Sequence, residues 1–392
     1  MVQEVTTQSW GSRLKDAVVG IFVGIILLGV AIYLIFWNES HGLHTAQSLK
    51  DAQKQVISIP ISPIDDKNNL RVVYLSGLAT TTDQLNDPLF NIKMSAIALI
   101  RTVEMYQWQE NIETKTESQM GGSEKTTKTY TYKKEWSDDL IDSSHFKEQG
   151  HDNPAVMPVS SWQQIAPNVT LGDFMLPREL VQKITSSQPI NLSQDNLEAF
   201  KSTVTRPVQL VDNEIYMGSD AQNPQIGDVR VRESTIIPQI VSVIAQQTGH
   251  TLQSYLSPAG ETILLLSEGQ HSSAEMFHDA QNENRMMTWI LRLATLLIMI
   301  GGFSLLMKPI VILADVLPIA GTIVGFGTGL IAFVVGLGLW TIFIAIAWFA
   351  TRPFMAIGLL VIVIGAGYFF IKKRAEKATA SSVITLEEHD KK

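Results

Sequence analysis

His41 and His44 stand three residues apart, a spacing that can place two imidazoles on one face of a helix and offer two nitrogen ligands to a metal. No further ligand set lies near them, so their expected role is that of polar residues on an interfacial helix. His145, His151 and Asp152 fall in the stretch DSSHFKEQGHDNP. An imidazole beside a carboxylate there could act as a general base or hold a metal, but a polar turn ahead of Pro154 accounts for the same residues. His278 follows Phe277 on a helix candidate and reads as a packing or surface residue. Trp108, Trp136 and Trp162 could line a groove, although aromatic residues in strands usually belong to a core. The chain has no G-x-S-x-G, no H-E-x-x-H and no phosphate-binding loop. These residues make no catalytic constellation, and no enzyme activity, metal or cofactor is expected. The alternative is a membrane-tethered enzyme or metal-dependent processing factor in the exposed domain, using some of His145, His151, Asp152 and His278.

The elements around these residues are dominated by apolar runs. Ala17 to Trp37 is almost unbroken and apolar, long enough to cross a hydrocarbon core of roughly 30 Å at about 1.5 Å per residue. A second run covers 288–307, and apolar sequence resumes at Ile319 and continues, interrupted at Thr351-Arg352-Pro353, to Ile371. Arg13 and Lys15 precede the first run, and Lys372, Lys373, Arg374 and Lys377 follow the last. Positive flanks stay cytoplasmic, so both termini are expected there and the number of crossings is even. The apolar length favours four. The first run ends in Phe36-Trp37-Asn38-Glu39 rather than in a small-residue cleavage site, so it reads as an anchor and not a removed signal.

The resulting segmentation is a cytoplasmic N-terminus (1–16), a first span (17–37), a periplasmic or lumenal domain (38–287), a second span (288–307), a cytoplasmic interfacial segment between two prolines (308–318), a glycine-rich third span region (319–350), a fourth span (354–371) and a cytoplasmic tail (372–392). Gly321, Gly325 and Gly329 recur every fourth residue, on one helix face, where small residues let two backbones approach. They are the expected oligomer interface. A hinge or re-entrant segment there, or a substrate path, are the other readings. Arg292 and Arg352 are expected to snorkel to headgroups as interface anchors, together with Lys372, Lys373 and Arg374.

Residues 38–287 carry 31 Asp/Glu against 19 Lys/Arg, an excess of 12 negative charges that disfavours nucleic acid as a partner. With no cysteine, this domain must be held by an ordinary core. Strands are expected at 70–78, 208–217, 228–237, 240–246 and 262–266, with helices at 41–58, 192–200 and 272–285. Ala98–Thr116 and Thr126–Trp136 flank Gly121-Gly122 and read as a long twisted hairpin with a projecting polar tip. The fold class is therefore an α-helical membrane protein with a large, mainly antiparallel α+β domain.

The stretch Val103-Glu104-Met105-Tyr106-Gln107-Trp108 is joined in order by Asn38-Glu39, Glu135-Trp136, Gly150-His151, Asn153-Pro154, Gly227-Asp228, Ser273-Ala274-Glu275, Phe277-His278, Leu291-Arg292, Asp315 with Pro318, and Arg352-Pro353. In this order and spacing the chain resembles the transmembrane protein 43 family, also called LUMA, from about Gly11 to Arg374. The resemblance implies four spans, both ends cytoplasmic, and a large domain between the first two. It also implies no catalytic activity, self-association, the organisation of membrane protein complexes, and, in animal members, residence in the endoplasmic reticulum and inner nuclear membrane with emerin and lamins as partners. The short N-terminus and diverged spans set this chain apart, so the nuclear partners are not carried over. The expected partners are the lipid bilayer, further copies of this chain and other membrane proteins. The expected location is a bacterial plasma membrane with a periplasmic domain, or an endomembrane with a lumenal one. The sequons at Asn168 and Asn191 would be open to modification in the second case.

Overall fold

The structure is a computed structural model that describes residues 2–349, with 352–362, 364, 365, 367–369, 372 and 373 beyond them; Arg374 and the rest of the expected tail lie outside the described residues. Its helices are α1 (Trp10–Gln55), α2 (Arg178–Val181), α3 (Gln194–Lys201), α4 (Ser273–Ala314) and α5 (Pro318–Phe349), followed by a shorter apolar helix, Pro353–Phe369. The chain divides into two units. One holds residues up to Val5, Thr45–Lys115 and Thr127–Asn282; the other holds Thr6–His44, Thr116–Thr126 and the chain from Glu283 on.

The first unit is built on two sheets of mainly antiparallel strands. In one, Ala98–Ser118 pairs with Val229–Ile236, from Met105 opposite Val229 to Ala98 opposite Ile236. In the other, Gln239–Thr248 pairs with Val72–Thr80, from Gln239 opposite Ala79 to Gln246 opposite Val72. Pro238, which has no N–H to give a ladder, stands where the chain leaves one sheet for the other. Alternation sets the core: Leu99, Val103, Met105, Val229 and Val231 from the first sheet are buried with Val73, Leu75, Val241, Val243 and Ala245 from the second. Phe90 and Phe200 stack within it at 4.7 Å between ring centroids.

Several expected elements are redrawn. The single strand expected at 208–217 is a tight hairpin, Val208–Val211 and Glu214–Met217, because Asp212 and Asn213 take positive φ of 48° and 65° and turn the chain. The strand at 262–266 is broken into Thr262–Ile263 and Leu265–Glu268. The helix leaving the membrane at 41–58 is the continuation of α1, and the exterior helix, second span and most of the 308–318 segment are one helix, α4, with Pro309 inside it. α5 is unbroken over 32 residues. The hairpin tip does not project freely, since residues 116–126 belong to the helical unit.

In that helical unit, Ala31 and Ile35 of α1, Met299 of α4 and Ile344 of α5 are buried together, with Trp340, Phe343, Trp348 and Leu359 packed around them. α1, α4 and α5 are each long and apolar enough to cross a membrane; Pro353–Phe369 is shorter. Their outer faces carry exposed Phe22, Ile26, Leu293, Leu297, Ile323 and Phe326, as expected of surfaces meant for lipid rather than water.

Because Phe90 is fully buried and stacked, Phe90→Ala is expected to destabilise the sheet unit by about 3–5 kcal/mol. Denaturant unfolding followed by tryptophan fluorescence checks this, and an unchanged midpoint would place Phe90 outside the core.

Candidate functional site

The most highly organised polar structure in the helical unit is a closed cluster around Arg292. Its Nε donates to Glu39 Oε1 at 2.6 Å and its Nη2 to Glu39 Oε2 at 2.7 Å, a bidentate pair with both residues 9% exposed. Trp348 Nε1 donates to the same Oε2 at 2.6 Å. The guanidinium lies 4.6 Å from the Trp289 ring centroid and 5.3 Å from that of Trp348, so its faces meet π-systems rather than water. Thr295 hydrogen-bonds the Arg292 carbonyl and receives Trp340 Nε1 at 3.1 Å. Arg292 is thus turned into the bundle. The expected snorkelling to headgroups is not its arrangement, because Glu39 supplies the counter-charge.

A second buried pair closes the other end of the same two helices. Arg13 Nη2 lies 2.6 Å from Asp315 Oδ2 and 2.9 Å from Glu124 Oε2, while Nη1 donates to the Gly122 carbonyl at 2.6 Å. Ser118 Oγ also reaches Asp315, and Trp10 Nε1 donates to the Ile312 carbonyl. The polarity is crossed: α1 gives the cation at one end and the anion at the other. Arg13 and Glu39 are 26 residues apart on α1, about 39 Å along a helix. That length covers a hydrocarbon core of roughly 30 Å and part of both interfaces.

Between the pairs the helices touch through glycine. A Cβ on Gly24 would meet the Gly302 carbonyl at 2.8 Å, and one on Gly302 would meet Leu28 at 2.9 Å. Asn38 Nδ2 reaches the Thr288 carbonyl, and Asn284 Nδ2 the Gly42 carbonyl. One antiparallel register satisfies all of these contacts. A similar approach joins Gly336 of α5 to Ile300 of α4, where a Cβ would lie 3.1 Å from the Ile300 side chain.

The expected oligomer glycines fall in three different settings. A Cβ on Gly321 would lie 1.7 Å from Asp315 Oδ1, so this glycine makes room for the carboxylate that holds Arg13. Gly325 faces Val311 at 3.5 Å, and Gly329 has nothing within 4 Å. Arg352 is exposed and lies 5.8 Å from the Trp348 ring centroid; Lys372 and Lys373 are exposed, the latter beside Phe369. His41 stacks on Trp37 at 5.0 Å, and His44 is exposed.

In the sheet unit, His151 stacks on Tyr132 at 3.9 Å and meets Trp108 edge-on at 4.5 Å, a packed aromatic group rather than an open base. His145 and Asp152 are exposed, and His278 lies beside Asp279 and Asn282. Trp136 packs on Tyr106 and under Arg230, and Trp162 under Arg101, so the three tryptophans line no common groove. Among the described residues, no group of three or more His, Cys, Asp or Glu is placed to hold a metal.

The sequence reading missed Glu39 as the partner of Arg292 and Asp315 as the partner of Arg13. The available signal was the matching position of opposite charges at the ends of the first two apolar runs. It also missed the Gly24–Gly302 contact, although Gly20 and Gly24 have the same four-residue spacing as the glycines of α5.

Removing one member of a buried pair strands the other. Glu39→Ala is therefore expected to destabilise the helical unit by about 3–5 kcal/mol, with Arg292→Ala similar and the double change much less than additive. Thermal unfolding in detergent, arranged as a double-mutant cycle, checks the coupling; additive losses would mean that the pair does not act as a unit.

The sequence profile of the family described as Transmembrane protein 43 matches residues 105–353. Transmembrane protein 43 of Rattus norvegicus is 34% identical over 356 residues, covering 88% of this chain and 87% of the rat protein. The Homo sapiens protein of that name is 33% identical over 357 residues, 88% of each chain. The Transmembrane protein 43 homolog of Drosophila melanogaster is 29% identical over 359 residues, 87% of this chain and 92% of its own. No solved structure matches the chain. With a profile match across more than half of its length and relatives this similar over most of theirs, the chain belongs to the transmembrane protein 43 family.

Proposed function

We propose that this protein is a non-enzymatic membrane scaffold that crosses the bilayer four times, associates with further copies of itself, and organises other membrane proteins. The crossings are α1, α4, α5 and the Pro353–Phe369 helix. Both ends of the chain lie in the cytoplasm, and the body of the sheet unit lies in the periplasm or a lumen, where it serves as the interaction domain.

One observation carries the self-association. Gly329 presents open backbone on α5, with Phe326, Leu330 and Phe333 exposed nearby, whereas the glycine contacts at Gly24, Gly302 and Gly336 are already filled within the chain. A bare glycine flanked by large apolar side chains suits a second helix better than lipid, because lipid gains nothing from the missing Cβ. The buried ion pairs support the scaffold reading in another way. Their charges are closed on each other, in contrast to the open, hydrated polar groups that a substrate path requires.

The proposed topology makes a demand on the hairpin. Residues 111–118 are exposed polar strand and cannot lie in hydrocarbon. With 17–37 in lipid, Arg13 is on one side and the body of the domain, joined at residue 45, is on the other. The tip is then expected to leave Arg13 and Asp315 in the bilayer, and the residues up to Val5, where Glu4 accepts from Tyr130, are expected to leave the sheet unit.

Two experiments test these readings. Gly329→Leu is expected to reduce the detergent-subtracted mass of the particle from a discrete oligomer to a monomer; an unchanged mass would remove the α5 interface. As the chain has no cysteine, single substitutions report sidedness cleanly. Met120→Cys and Leu140→Cys are expected to react with an impermeant maleimide from one side, and Ser9→Cys from the other. If Ser9→Cys and Leu140→Cys react from the same side, the proposed topology fails.

A further inference from the structure

The sheet unit buries three charged side chains that the membrane reading does not use. Arg101 and Glu233 stand directly opposite each other on paired strands, in phase with the core residues Leu99, Val103, Val229 and Val231. Asp87 reaches them from the small hairpin formed by Gln84–Asp87 and Ile92–Ser95. Exposure is 8% for Arg101, 2% for Glu233 and 0% for Asp87. Arg101 lies 5.7 Å from the Phe90 ring centroid and 5.6 Å from that of Trp162.

The charges in this group do not balance. Asp87 Oδ1 accepts the Leu89 N–H at 2.9 Å, and Asp87 Oδ2 lies 3.4 Å from Arg101 Nη1, within ion-pair range but without hydrogen-bond geometry. Asp87 Oδ2, both carboxyl oxygens of Glu233, and Nε and Nη1 of Arg101 have no hydrogen-bond partner among the described residues. Two carboxylates and one guanidinium leave one negative charge in a dry core, which is far costlier than a neutral group. Two carboxylates also cannot hydrogen-bond each other, because both only accept. One proton removes both difficulties by making Glu233 a neutral donor to Asp87.

We propose that Glu233 and Asp87 share a single buried proton, and that this proton fastens the 84–95 hairpin to the sheet, making the domain a pH-sensitive lock. The titratable and charged groups that face Glu233 are Asp87 from the hairpin and Arg101 from the neighbouring strand. Burial first, and the Asp87 charge second, push the Glu233 carboxyl up from 4.5 to about 8, while Arg101 pulls in the other direction. The sign follows from linkage. Between 4.5 and about 8 the folded domain holds a proton that the unfolded chain has released, so stability falls as pH rises through that window and levels off above it. Loss of the proton leaves the extra charge beside Asp87, and the strain falls on the hairpin, whose two strands form a separate two-stranded sheet held to the core by side chains such as Phe90.

The experiment uses the full chain in nanodiscs. Infrared spectra are expected to retain a protonated-carboxyl band at neutral pH, long after ordinary carboxyls have ionised, and to lose it near pH 8. Glu233→Gln, which keeps a donor but cannot titrate, is expected to abolish the band and flatten the fall of the thermal midpoint with pH. Hydrogen exchange at Leu89 should rise with pH in the native protein and not in the variant. Asp87→Asn should move the band's loss to lower pH, by removing the neighbouring charge. The absence of a protonated-carboxyl band at neutral pH in the native chain would overturn the proposal, as would an unchanged pH profile in Glu233→Gln. The native spectrum decides even if the variants fail to fold.

Discussion

A guanidinium or a carboxylate at the end of an apolar helix must find water, headgroups or an opposite charge, and in this protein both ends of the α1–α4 pair find the last. Glu39 with Arg292 and Arg13 with Asp315 are held at hydrogen-bond distance, in crossed polarity, at the two limits of the apolar length. Either pair alone would allow the helices to pivot. Together they leave a single antiparallel register, because slipping one helix by a turn would break both pairs at once. Buried pairs of this sort add little net stability over apolar replacements, but they penalise wrong registers heavily. The energy lost on mispairing, rather than the energy gained on pairing, is what makes the helical unit specific.

The glycines depend on that register. Gly24 meets the Gly302 carbonyl only because the ends are fixed, and Gly321 is glycine because the carboxylate of Asp315 occupies the place of its Cβ. Once α1 and α4 are this close, Trp348 can bring its indole N–H to Glu39 while stacking on Arg292. α5 is thereby attached to the same polar centre. Among the described residues, Gly327, Gly329 and Gly338 of α5 are glycines that this packing leaves open.

How legible this was in the sequence follows from the range of the signals. The apolar runs and the long hairpin are local and were readable; on the hairpin's first strand, buried Gln107 binds the 139–141 loop through Asp139 and Ile141. The turn at Asp212-Asn213 was also local, but two branched runs around it imitate one strand. Continuity of α1 and α4 was obscured because the composition changes from polar to apolar without any break in the backbone. Partner identity was the least accessible. Arg292 and Glu39 are 253 positions apart, and a lone arginine near an interface carries no mark of whether it snorkels or pairs. Glycine spacing has the same weakness: α1 and α5 show similar periods, yet Gly20 and Gly24 both meet α4 whereas Gly321, Gly325 and Gly329 fall in three different settings.

The two units answer the same problem differently. In the helical unit Arg292 meets one carboxylate, and its bidentate geometry satisfies both oxygens of Glu39; Arg13 meets buried Asp315, with the more exposed Glu124 as a second partner. In the sheet unit the alternation of two paired strands carries Arg101 and Glu233 into the core face to face, which by itself would be another one-to-one pair. Asp87 changes the count, since its strand turns a second carboxylate toward the same guanidinium. Arg101 carries a single positive charge and so can neutralise only one of the two acids, and the neighbours beside it, Phe90 and Trp162, bring no second cation. An excess acid in a dry core is most simply neutralised by a proton, so burial of the odd carboxylate separates the two sites: Glu124, the second acid at Arg13, reaches solvent and can stay charged, whereas the second acid at Arg101 is buried and responds to pH in the proposed reading.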